Sequence, residues 1–61
     1  MKVVKGSILT IEDDRGSCAL VDSQNGNLVA ICDAQTAKML FDKANSIGSY
    51  DFIREMVAAY S

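Results

Sequence analysis

The sequence contains no proline, histidine or tryptophan, and only two of its 61 residues are cysteine. Without histidine, general-base catalysis would fall to a carboxylate or a lysine, and no nucleophile–base pair stands out. A zinc site needs about four ligands, and the chain has neither histidine nor a CxxC pair. We therefore expect a protein that is not an enzyme and that holds no metal or cofactor.

Basic residues are also few, since 6 Lys and Arg stand against 8 Asp and Glu and give a net charge of -2. Nucleic-acid binders usually carry a basic patch, so this composition argues against a nucleic-acid partner. No apolar run approaches the roughly 20 residues of a membrane span, and no signal-peptide pattern occurs. Small secreted domains usually have four or more cysteines. We expect a cytoplasmic protein with reduced thiols and no membrane association.

Apolar residues are abundant, at 49% of the chain. This fraction excludes a disordered tail, which would be poor in apolar residues. A chain of this length buries only about 60% of its unfolded surface, which is marginal for one small core. The sequence therefore predicts a single small domain with more apolar material than its own core requires.

The first half of the chain predicts a three-stranded antiparallel meander, with strands at about residues 2–12, 17–23 and 27–32. The separators 14–16 and 24–26 both end in glycine, which predicts three-residue hairpin loops. A two-residue turn at 25–26 is the alternative, and it would shift the pairing by one residue and mix the faces. The preferred register gathers one apolar face, formed by Leu9, Ile11, Ala19, Val21, Val29 and Ile31.

The second half predicts two helices, at about residues 34–45 after an Asp33 N-cap and 50–60 after Ser49. Their apolar stripes are Ala37, Leu40, Phe41, Ala44 and Ile47 in the first, and Phe52, Ile53, Met56, Val57 and Tyr60 in the second. The predicted fold is a two-layer α+β domain in the order β-β-β-α-α, with both helices on the apolar face.

The opposite face of the predicted sheet is also apolar, where a solvated face should alternate to polar residues. Such a patch indicates an interaction surface, most simply in a symmetric homodimer, and an edge strand could extend the sheet between two chains. The other interpretation is that the assigned face is wrong or that a helix covers this one. The predicted interface consists of Ile8, Thr10, Cys18, Leu20, Leu28, Ala30 and Cys32.

Two clusters have both a chemical and a structural interpretation. Cys18 and Cys32 face each other in the preferred register. They could form a redox pair, but we prefer the interpretation that they are two buried residues that pack as small apolar side chains. The carboxylates of residues 12–14 could hold a divalent cation, but they lack EF-hand spacing, and solvated charges at a turn explain them better.

Further candidates lie in or beside the predicted helices. Lys38, Lys43 and Arg54, with the helix start at Ser49, are candidate anion contacts, although nearby acids favour a mixed solvated surface. Tyr50 and Tyr60 fit either an interface or the edge of the core.

These patterns predict a non-enzymatic interaction or regulatory protein that acts as a homo-oligomer and binds and modulates another macromolecule. Small phage- or plasmid-encoded inhibitors of host machinery are proteins of this type. One alternative is a nucleotide- or metabolite-binding protein with sites between subunits. A second alternative is a nucleic-acid-binding regulator.

Overall fold

The computed structural model describes the backbone of residues 2–60 and the side chains of residues 2–56. The element order is β1 (Lys2–Lys5), β2 (Leu9–Asp14), β3 (Ser17–Asp22), β4 (Leu28–Cys32), α1 (Ala34–Ile47) and α2 (Asp51–Tyr60). The predicted α+β fold, with an antiparallel sheet followed by two helices, is confirmed. The prediction of three strands is wrong: the segment predicted as one strand over residues 2–12 divides into β1 and β2, and the sheet has the order β1-β2-β3-β4.

The break between β1 and β2 depends on a residue that is distant in sequence. Asn45 of α1 accepts hydrogen bonds at its Oδ1 from the backbone N–H groups of Ile8, at 2.7 Å, and Leu9, at 3.2 Å. A Cβ on Gly6 would lie 2.5 Å from Leu9 O and closer still to Asn45 Nδ2, so only glycine fits this close approach. The local sequence reads as a continuous strand because the group that holds the turn lies on a helix.

The turn between β2 and β3 contains two residues, not the predicted three. Arg15 has φ 54 and Gly16 has φ 83, the two left-handed residues of a type I′ turn. Asp14 therefore pairs with Ser17, one residue away from the expected register. Because side chains alternate along a strand, this shift turns Leu20 toward the helices instead of away from them.

The pairing of β3 with β4 follows the prediction over most of its length, with Ala19 opposite Ile31. A bulge then places Val21 opposite Leu28, where Val29 was expected. Val29 packs against the buried cluster. The sequence predicted a regular hairpin here, and the bulge shows that this part of the predicted register is wrong.

The buried core lies between the sheet and the two helices. Its members are Leu9, Cys18, Leu20, Ala37, Leu40, Ala44 and Ile53. The α1 stripe is thus confirmed for its three buried members, with Phe41 packed against them. Ile47, in contrast, is 58% exposed at the last position of the helix, beside the left-handed Gly48.

The helix termini match the predicted positions with differences in detail. Asp33 occupies the N-cap of α1 with extended backbone, but its side chain forms no capping hydrogen bond among the described residues. In α2, Ile53 is buried and Phe52 packs against the core. The predicted contributions of Val57 and Tyr60 concern side chains that lie outside the described residues.

Candidate protein interface

The face of the sheet opposite the helices forms a surface that we call the open face. Residues directly opposite each other share a face, and the register gives two rows across all four strands. The rows are Val3–Glu12–Ala19–Ile31 and Lys5–Thr10–Val21–Leu28.

Apolar side chains of the open face concentrate on the half formed by β3 and β4. Ile31 is 65% exposed and Leu28 is 59% exposed, while Ala19 and Val21 are half-buried. The β1–β2 half carries Lys5, Glu12 and Thr10 in the same rows, together with one exposed apolar residue, Val3. The result is an apolar area that has polar residues on one side and a sheet edge on the other.

Most of the residues predicted at the interface lie elsewhere, and the one-residue register shift is the reason. Cys18 and Leu20 are core residues with almost no exposed surface. Ile8, Ala30 and Cys32 are partly buried and pack against that core.

Of the two remaining predicted residues, one is buried and one is exposed. Thr10 is buried, and its Oγ1 lies 2.8 Å from Ser23 Oγ, which donates to Gly6 O. Leu28 is exposed on the open face, as predicted. Of the residues assigned to the core instead, Ala19, Val21 and Ile31 belong to the open face.

The two edge strands of the sheet differ in charge. The sequence of β1 is KVVK, with a lysine at each end, whereas that of β4 is LVAIC and has no charged residue. Lysines on an edge strand oppose further strand pairing. Within residues 2–60, no strand pairs with the outer side of β4. The apolar half of the open face therefore ends at an uncharged edge.

The acidic cluster of residues 12–14 is divided by the pleat of β2. Glu12 and Asp14 alternate with Asp13, so two carboxylates lie on the open face and the third on the helix side. Among the described residues, no three potential ligands come together as a metal site. The two carboxylates instead give the open face negative charge beside its apolar half.

The candidate anion contacts have separate partners. Lys38 Nζ lies 3.9 Å from Asp42 Oδ2, Lys43 Nζ lies 4.8 Å from the centroid of the Phe52 ring, and Arg54 Cζ lies 5.4 Å from that of the Tyr50 ring. Ser49 Oγ accepts a hydrogen bond from the N–H of Asp51 in the first turn of α2. These contacts do not converge on one site.

A polar depression of about 290 Å³ lies where α2 meets the β3–β4 loop. Tyr50 Oη donates to Asp22 Oδ2 at 2.6 Å, and Asp22 Oδ1 accepts the N–H groups of Gln24 and Asn25. These hydrogen bonds, that of Tyr50 first, lower the pKa of Asp22, and the same contact raises the pKa of Tyr50. Asp22 and Asp51 both line the depression, so its charge does not suit an anion. Tyr50 also packs against the core, which favours the core-edge interpretation for this residue.

Cys18 and Cys32 are opposite each other, as the sequence predicted, but they lie on the helix side of the sheet and not on the face away from the helices. Both are free thiols. Burial is the main cause that raises the pKa of each thiol, and Asp33 adds to the effect. Thiolate is the reactive form of cysteine, so this environment suits apolar packing better than redox chemistry.

Comparisons of this chain with protein-family models, curated proteins and solved structures find no match. None of the helices in the described part of the chain has the length and apolar character needed to cross a membrane.

Proposed function

We propose that this chain is a non-catalytic interaction protein that acts as a homo-oligomer and binds and modulates another protein through the open face of its sheet. The observation that carries the proposal is the exposure of Leu28 and Ile31, side by side with Ala19 and Val21, on a face that no described side chain of either helix covers. Contiguous exposed apolar surface on a small protein usually marks an interaction site.

The charges on the open face indicate the chemistry of the partner. Glu12 and Asp14 lie beside the apolar half, Lys5 lies on the far edge strand, and the whole chain carries a net charge of -2. A partner with an apolar centre flanked by lysine or arginine would be complementary to this arrangement. The same acids disfavour a nucleic-acid backbone on this face.

The test is quantitative co-purification from the native host with tagged full-length chain. Ala19→Lys places a cation in the middle of the open face, where Glu12 directly opposite can pair with it and preserve the fold. Met39→Lys is the matched control, because Met39 is 61% exposed on α1, away from the open face. We expect a protein that is recovered with the wild type and Met39→Lys and lost with Ala19→Lys. Equal recovery with all three chains would refute binding through this face.

A further inference from the structure

The outer edge of β4 can accept another strand without meeting charge. Each of its five residues is apolar, and its Leu28 and Ile31 are among the most exposed apolar side chains of the described residues. The opposite edge, β1, has Lys2 and Lys5 at its ends. A sheet that is protected at one edge and unprotected at the other is suited to extension on the unprotected side.

The hairpin geometry shows which backbone groups of β4 point outward. The two-residue turn makes Asp14 and Ser17 a hydrogen-bonded pair, and such pairs alternate along an antiparallel ladder. Consequently Ala19 bonds toward β2 and Leu20 toward β4. Two loop contacts fit this alternation, because Ser23 N donates to Ile8 O and Asp22 N donates to Asn27 O.

The same alternation extends to β4 through its register with β3. Cys32 and Ala30 are opposite Cys18 and Leu20, so their backbone groups bond inward. The N–H and C=O of Ile31 then point away from the sheet. They form the hydrogen-bonding positions of the free edge.

We infer that β4 pairs antiparallel with β4 of a second copy of this chain, across a two-fold axis, to form a continuous eight-stranded sheet. The inference rests on the proposed function and names the partner of the uncharged edge. Two-fold pairing is isologous, so each β4 meets the same apolar sequence and no like charges are opposed. The equivalent pairing of β1 with β1 would bring two lysines of each copy to the contact, and lysines on an edge strand oppose such pairing.

This arrangement explains the exposure at the end of the open face. Side chains on adjacent strands lie about 5 Å apart, so Leu28 and Ile31 of the two copies would cover one another. The outer strands of the eight-stranded sheet would be the two lysine-bearing β1 strands. Assembly would therefore stop at the dimer and leave two open faces joined as one surface for the protein partner.

Sedimentation equilibrium at micromolar concentrations tests the inference with two matched variants. Ile31→Lys puts a charge on the proposed contact, and Val3→Lys puts the same charge in the same row of the open face, at the opposite edge. We expect a wild-type mass of twice 6.6 kDa and a dimer for Val3→Lys. For Ile31→Lys we expect a dissociation constant raised at least about tenfold, with unchanged circular dichroism.

Amide hydrogen exchange of the wild type identifies the contact independently of any variant. We expect slow exchange of the Ile31 N–H and fast exchange of the Val3 N–H, which alternation places on the free side of β1. A dimer that Ile31→Lys leaves intact, or that both variants dissociate, would overturn the inference in favour of another contact. A monomeric wild type would overturn it as well, whereas the proposed binding of a protein partner is decided separately by the Ala19→Lys and Met39→Lys comparison.

Discussion

The side chain of Asn45 connects α1 to the turn between β1 and β2, and its removal gives the most direct test of the fold. Its Oδ1 accepts two backbone N–H groups, those of Ile8 and Leu9, and its Nδ2 donates to Phe41 O at 2.9 Å. Asn45→Ala leaves the two backbone donors without this acceptor, in a half-buried position.

The magnitude follows from two opposing effects. Each lost hydrogen bond contributes about 1 kcal/mol net, and each N–H left unsatisfied in a half-buried position adds a further penalty of about 0.5–1 kcal/mol. Alanine is the better helix former, which returns about 0.5 kcal/mol at residue 45. The loss of the two hydrogen bonds outweighs the gain in helix propensity, and we expect a net destabilisation of about 2.5–3.5 kcal/mol. A chain of this length has only about 3–9 kcal/mol of stability in total.

Urea unfolding followed by circular dichroism measures the free energy of unfolding, and thermal unfolding followed in the same way measures the thermal midpoint. We expect Asn45→Ala to lower the thermal midpoint by about 10 °C or more, and Asn45→Asp, which keeps the acceptor oxygens, to lose less. The matched control is Asn25→Ala, since Asn25 Oδ1 also accepts a backbone N–H, that of Asn27, but within an exposed loop. If Asn45→Ala were no more destabilising than Asn25→Ala, the turn would not depend on this contact.

Three further predictions concern the two faces, the polar depression and the thiols. Leu20→Lys should unfold the chain because it buries a charge, whereas Val21→Lys on the open face should leave the chain folded by circular dichroism. If Val21→Lys unfolded the chain and Leu20→Lys did not, the result would support the register of a three-residue loop instead. The pKa of Asp22 is lower in the folded than in the unfolded state, so stability is lost as pH falls below about 4. Tyr50→Phe should make this acid-side loss shallower in urea titrations from about pH 6 to about pH 3, and an unchanged pH profile would contradict the assigned cause. Both thiols should react with Ellman's reagent far more slowly in the folded protein than in guanidinium, because burial disfavours the thiolate; equal rates would contradict their burial.

Local patterns in the sequence were sufficient for the helices. Ala37, Leu40 and Ala44 recur at helical spacing in α1 and are all buried. Ile53, from the predicted apolar stripe of α2, is buried as well. These positions are fixed by short-range periodicity, so one sequence is enough to find them. The run from Val3 to Glu12 was predicted as one strand because its local sequence is strand-forming throughout. The turn that divides it depends on a long-range contact with Asn45, which local patterns do not show.

The candidate site was predictable as a kind of surface but not as a set of residues. Gly16 was assigned the left-handed position alone, since non-glycine residues rarely adopt positive φ. Arg15 adopts it too, and this one residue changes the register. Asn25 and Gly26, the stronger sequence signal for a two-residue turn, instead lie in a longer loop organised by Asp22.

Hydrophobic pattern could not choose between the two registers, because both faces of this sheet are rich in apolar residues. Either assignment buries one apolar set and exposes another, so only the turn geometry decides between Leu20 and Val21 as the core residue. In the observed register, as in the predicted one, the face away from the helices has an excess of apolar residues. The most exposed of them are Leu28 and Ile31, at the uncharged edge. That location matters for mechanism: an apolar patch in the middle of a face can be covered by packing alone, whereas one that continues to a free edge strand can also gain backbone hydrogen bonds. The proposed self-association through β4 would therefore account for the exposed side chains and the uncharged edge together, which packing between two open faces would not.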